Sequence, residues 1–178
     1  MRKASAALLE RIKKYGSVNG EVVKVDRFIN HQVDIELFRL MADDMAGHFK
    51  DACLTKIITA ETSGITIAHP LAEALGIPYI FAKKKKPITM ADFYSAESYS
   101  FTKQEHTTLY ISKEVLTAED RVIYVDDFFA RGNTLKAVKE IVAQSGAELA
   151  GCAVIIDKKG EEGVYSILTL DEIKKGLD

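Results

Sequence analysis

Two adjacent carboxylates, Asp126 and Asp127, follow directly on the apolar run Val122, Ile123, Tyr124 and Val125, and a short loop with its glycine at Gly132 follows them. Such a pair, placed where a buried strand emerges, can accept hydrogen bonds from vicinal hydroxyls, as on a ribose, or hold a hydrated Mg²⁺ through oxygen ligands. After the loop the period changes. Leu135, Val138, Ile141 and Val142 recur at helical spacing, so an amphipathic helix starts near Asn133 or Thr134. The first turn of a helix leaves backbone N–H groups unpaired and carries the positive end of the macrodipole, which suits a phosphate. Gly132 lets the backbone approach the ligand, while the Asn133 amide and the Thr134 hydroxyl add donors. A phosphate beside a ribose is the implied ligand.

Further residues able to do chemistry lie upstream and downstream. The strand-like KIIT of residues 56–59 leads into AETSGITIAHPLAEALG, where a glycine-containing loop again opens a helix. Four consecutive lysines, Lys83 to Lys86, follow another short apolar run. Asn30, His31 and Gln32 form a polar triplet between apolar residues, and Asp157 and Lys158 end the run CAVII. Cys53 and Cys152 are far apart with no paired spacing, which excludes a zinc site or disulfide framework; both are expected as small core residues.

The elements that must position these groups can be read from periodicity. Residues 4–15 predict a helix stopped by Gly16, and Val22, Val23 and Val25 a strand. Asp34 caps a helix running to about Phe49. Strands are expected at Tyr79–Phe81, Cys152–Ile156 and Tyr165–Leu168, the last followed by a terminal helical turn. Thr89 to Glu105 reads mainly as a long flexible segment, with a hairpin-like return through Leu109 to Ile111. Strands followed by helices recur, so the fold class is α/β: a doubly wound, mostly parallel sheet flanked by helices, with ligands at the carboxyl ends of its strands. Neither G-x-G-x-x-G nor G-x-x-x-x-G-K-[ST] occurs, which argues against dinucleotide and ordinary nucleoside-triphosphate sites.

The stretch VIYVDDFFARGNT, residues 122–134, resembles the phosphoribosyl pyrophosphate (PRPP) signature of type I phosphoribosyltransferases: apolar residues, two acids, then a glycine-containing phosphate loop. VVKVDRFINHQVD and SYSFTKQ resemble, more narrowly, the N-terminal segment and the mobile catalytic loop of bacterial xanthine phosphoribosyltransferases. The resemblance spans roughly residues 20–160. It implies that Asp126 and Asp127 face the ribose and, through water and PRPP, a Mg²⁺ ion, and that Ala130, Arg131, Gly132, Asn133 and Thr134 cradle the 5′-phosphate. Ser63 and Gly64 would bind the pyrophosphate, with Lys84, Ser98, Tyr99 and Lys103 as further contacts. Val23, Asn30, Phe128 and Lys158 would meet the base, under a small hood built from about 17–34 and 159–178 of a single 1–178 domain. The implied activity joins a purine, xanthine or another 6-oxopurine, to PRPP in a homodimer. An adenine-specific enzyme and a PRPP-sensing regulator are the alternatives; about twenty residues ahead of the matching segment are too few for a regulator's DNA-binding domain.

Composition agrees with one compact domain: 178 residues, 47% hydrophobic and 28% charged, with a formal charge of −2. That balance gives no general pull toward nucleic acid or an anionic membrane, so any anion site must be local. No apolar run is long enough to span a bilayer, and a cytoplasmic protein is expected.

Overall fold

A computed structural model describes residues 1–100 and 105–177. In chain order these form α1 (Lys3–Tyr15), β1 (Ser17–Asn19), β2 (Val22–Lys24), a single π-helical turn (Asp26–Asn30), α2 (Ile35–Phe49), β3 (Lys56–Ala60), α3 (Gly64–Leu75) and β4 (Tyr79–Ala82). There follow β5 (Phe93–Ser100), β6 (Glu105–Ser112), β7 (Arg121–Phe129), α4 (Asn133–Ser145), β8 (Glu148–Asp157), β9 (Val164–Thr169) and α5 (Leu170–Leu177). The central sheet has the order β4-β3-β7-β8-β9 and is parallel throughout. Two antiparallel hairpins, β1-β2 and β5-β6, form separate sheets, the second tied to the end of β4 by a Lys83–Tyr110 bridge.

Strand alternation divides the core between the two faces. In β7, Ile123 and Val125 pack with Ile67, Ala68 and Leu71 of α3 and with the apolar sides of α1 and α2. Val122 and Tyr124 point the other way, onto Leu135, Val138 and Ile141 of α4 and onto Leu109 and Ile111 of β6. Helices therefore cover one face, and α4 with the second hairpin covers the other. The Asp34 carboxylate caps α2 by accepting from Leu37 N at 3.1 Å, as its position predicts.

Three expectations change. Residues 93–100 are not a flexible segment: Phe93 to Ser100 pair residue for residue with Ser112 to Glu105. Buried Ala96, Leu109 and Ile111 seat this hairpin on α4, and Gln144 clamps Ser95 by donating to its carbonyl at 2.8 Å and accepting from its N–H at 3.3 Å. The acid pair does not lie beyond its strand; β7 continues to Phe129 because its pairing with β8 runs as far as Phe129 and Asp157. Cys53 is exposed, in the connection after α2 with φ of 49°, so only Cys152 is a core thiol. No helix among the described residues is long and apolar enough to cross a membrane.

Candidate active site

The site begins where the sheet opens. β3 and β7 pair only as far as Ile58 and Tyr124; beyond that point the Thr59 hydroxyl donates to the Val125 carbonyl at 2.7 Å in place of a ladder bond. The helix leaving β3 packs on one face and the helix leaving β7 on the other. This is a topological switch point, where an open α/β sheet leaves a crevice at its carboxyl edge. A cavity of about 620 Å³ occupies it.

The acid pair lies on the cavity wall, and its two members are held differently. The Tyr124 hydroxyl donates to Asp126 Oδ2, and the Asp127 N–H donates to Asp126 Oδ1 at 2.9 Å. Burial pushes the Asp126 carboxyl well above the ordinary range, and the neighbouring Asp127 charge adds to the effect. Asp127 Oδ1 accepts from Phe128 N at 2.9 Å. Both oxygens of Asp126 are thus engaged from within β7, and both acids line the cavity. Among the described residues no cluster of three or more His, Cys, Asp or Glu could hold a metal by itself. The donors present are two hard carboxylates, which fit a Mg²⁺ ion whose remaining ligands come from water and the substrate.

Beyond Phe129 the chain turns through Ala130, Arg131 and Gly132 into α4. Gly132 has φ of 70°, which favours glycine, and a Cβ there would crowd the Phe129 ring at 3.1 Å. All five expected phosphate-loop residues, Ala130 to Thr134, line the cavity. The Asn133 side chain is already engaged: its amide donates to the Tyr99 carbonyl at 2.8 Å.

Opposite stands the loop after β3. Ser63 and Glu61 line the cavity. Gly64 is buried at the start of α3, where a Cβ would fall 2.1 Å from the Thr59 hydroxyl and 2.9 Å from Asp126 Oδ1. Lys84 reaches the same cavity, and its backbone N–H donates to the Glu61 carboxylate. Ser98 and Tyr99 face the cavity from β5; Lys103 lies outside the described residues.

At the other end, the Lys158 ammonium lies over the Phe128 ring at 5.0 Å, and both residues line the cavity. Lys159 pairs with Glu21 at 3.0 Å, linking the β8–β9 connection to the β1–β2 turn. Val22 is the hairpin valine that faces the cavity; Val23 is buried beneath it, and Asn30 is exposed at the end of the π turn, outside the cavity lining. Sequence reasoning missed Tyr124 as the anchor of Asp126, Glu61 as an acceptor and the Glu21–Lys159 bridge. The last had no local signal, since its partners are 138 residues apart.

An acid pair between two glycine-containing helix starts, at the switch point of a parallel sheet, defines an α/β protein built to grip a phosphorylated ligand. The sequence model of the phosphoribosyl transferase domain matches residues 31–174. The xanthine phosphoribosyltransferase of Heliobacterium modesticaldum is 43% identical over 157 residues, covering 88% of this chain and 84% of that protein. The xanthine phosphoribosyltransferase of Streptococcus agalactiae serotype III is 46% identical over 158 residues, covering 88% and 82%. The chain belongs to the phosphoribosyltransferase family. Its fold is that of adenine phosphoribosyltransferase from Thermoanaerobacter pseudethanolicus, with a TM-score of 0.75 at 21% identity over 91% of this chain and 99% of that one. The Saccharomyces cerevisiae adenine enzyme is similar, with a TM-score of 0.73 at 21% identity over 92% and 99%.

Proposed function

We propose that this enzyme transfers the 5-phosphoribosyl group of PRPP to a 6-oxopurine, xanthine foremost, and releases pyrophosphate. The observation that carries the reading is one cavity lined by two helix-start loops, an acid pair between them and a lysine over an aromatic ring at the far end. The names and identities of the xanthine-specific relatives support the choice of base. In this reading the bond from ribose C1 to the pyrophosphate oxygen breaks and a bond from C1 to a purine nitrogen forms, the purine N–H proton leaving with the departing phosphate or to solvent.

Ala130 to Thr134 hold the 5′-phosphate mainly through backbone N–H groups, fixing the ribose. Asp127 takes the ribose hydroxyls or the ion, and Asp126 braces it. Asp126 and Asp127 would hold a hydrated Mg²⁺, which would neutralise charge on the leaving pyrophosphate. Ser63, Gly64 and Lys84 receive the pyrophosphate, with Ser98, Tyr99 and Lys103 contributing from the hairpin. Phe128 stacks on the base and Lys158 donates to an oxygen or N7 of it; the contact to oxygen favours oxopurines over adenine. Val23 of the β1–β2 hairpin and Asn30 of the π turn complete the proposed base contacts. The assembly proposed with this activity is a cytoplasmic homodimer, checked by light scattering.

The test is direct. Purified protein is mixed with PRPP and Mg²⁺ and with xanthine, hypoxanthine, guanine or adenine, and nucleotide formation is followed by absorbance. Turnover should be fastest with xanthine and should stop on chelation. Asp127→Asn should cost about a hundredfold or more in kcat. No product with any base would refute the reading; preference for adenine would refute the choice of base.

A further inference from the structure

We propose that Asp157 is a positioning residue for base recognition: its carboxylate sets the path of residues 158–161 and so aims Lys158 and Lys159 at the two sides of the cavity. This inference rests on the reading of Lys158 as the base contact. Asp157 ends β8 and is 1% exposed. One carboxylate oxygen accepts from the N–H groups of Lys159 at 2.8 Å and Gly160 at 3.0 Å; the other accepts from Glu161 N at 2.7 Å. Among the described residues no cation pairs with it, so the buried charge is balanced by three converging backbone dipoles.

Placing a charge there is costly unless the hydrogen bonds are complete, and what it yields is geometry. The connection bends around the carboxylate, with Gly160 at φ of 66°. The Lys158 N–H is held by the Phe129 carbonyl at 2.9 Å, so the backbone of Lys158 is pinned on one side by β7 and on the other by the Asp157 cup. From that fixed point the Lys158 ammonium lies over Phe128, and Lys159 crosses to Glu21 in the β1–β2 turn. Both lysines line the cavity. A looser connection would leave PRPP binding intact, because the phosphate loops lie on other elements, and would blur only the base end.

The experiment compares steady-state kinetics of the full-length enzyme and of Lys158→Met, Asp157→Asn and Gly160→Ala, varying xanthine and PRPP separately. Asp157→Asn keeps one acceptor oxygen and opposes an amino group to a backbone N–H. It should raise the KM for xanthine about tenfold while the KM for PRPP stays within about twofold. Gly160→Ala disturbs the same connection from its exposed side, where a Cβ meets nothing within 4 Å but the φ of 66° disfavours it. It should shift the xanthine KM in the same direction by a smaller factor, and it decides the matter alone if Asp157→Asn does not fold. If Lys158→Met raises the xanthine KM and the other variants leave it unchanged, or raise both KM values equally, the positioning role is overturned. If Lys158→Met has no effect, the base-site reading itself fails and the inference falls with it.

Discussion

The side-chain amide of Asn133, at the first turn of α4, donates a 2.8 Å hydrogen bond to the main-chain carbonyl of Tyr99 in β5. This bond joins the phosphate loop to the hairpin that supplies Ser98 and Tyr99 to the cavity. Asn133 therefore lines the cavity from the first turn of α4, while its side chain holds the hairpin. A second tie between the same two elements is the Gln144–Ser95 clamp, about three turns of helix further on.

Removing the first tie while keeping the second should loosen one end of the hairpin only. Asn133→Ala is expected to raise the KM for PRPP several-fold and to speed amide exchange near Tyr99 more than near Ser95. Gln144→Ala should show the opposite exchange pattern. Hydrogen exchange read by mass spectrometry checks both; equal protection in all three proteins would show that the bond holds nothing.

The raised Asp126 carboxyl predicts a specific link between pH and stability. Its folded pKa lies above the unfolded value because burial, then the Asp127 charge, disfavours ionisation. Ionisation therefore costs the folded state nothing below the unfolded pKa of about 4, and the cost grows as pH rises from there toward the folded value. Asp126→Asn, neutral throughout, should melt progressively higher than the wild type as pH rises above about 4, while losing activity. Melting curves across that range decide; a gap that stays constant or narrows with rising pH contradicts the assignment.

Gly64 permits the closest approach in the site. A methyl group there would collide with the Thr59 hydroxyl and crowd Asp126 Oδ1, at 2.1 and 2.9 Å. Gly64→Ala should cost about 1–3 kcal/mol in stability through overpacking and should impair turnover beyond that loss by displacing the acid. Denaturant unfolding and kcat on the folded fraction separate the two effects.

Asp34 tests the frame rather than the chemistry. Its carboxylate accepts from Arg11 Nε at 2.7 Å as well as capping α2, and the hydrogen bond from Arg11 lowers its pKa first, with the Leu37 N–H adding to it. Asp34→Ala should cost about 1 kcal/mol near neutral pH, a drop of about 2–4 °C in Tm. Because the folded pKa is depressed, this contribution is present above the unfolded pKa and disappears as pH falls through the folded one. Wild type and variant should converge in acid.

Local physics accounts for what could be read directly from the residue order. The apolar run Val122–Val125, the two acids, Gly132 and the helical spacing from Leu135 are all near neighbours, so strand, loop and helix declare themselves without any distant partner. The same holds for the Asp34 cap and for the glycine loop that opens α3. Residues 93–100 misled because hydroxyl-rich strands lack an apolar alternation of their own; β6 and α4 make them a strand. Cys53 misled because a small apolar side chain says nothing about the φ of 49° that its connection adopts.

Tertiary structure alone decided which side chains meet. The order β4-β3-β7-β8-β9 brings Gly64 against Asp126, Asn133 against Tyr99 and Lys159 against Glu21, pairings separated by tens of residues to more than a hundred in the chain. Residue order thus determined that two glycine-containing loops leading into helices and an acid pair exist; the sheet determined that they share one crevice. The reason is that periodicity and turn chemistry act over a few residues, whereas a crevice forms only where adjacent strands send their helices to opposite faces.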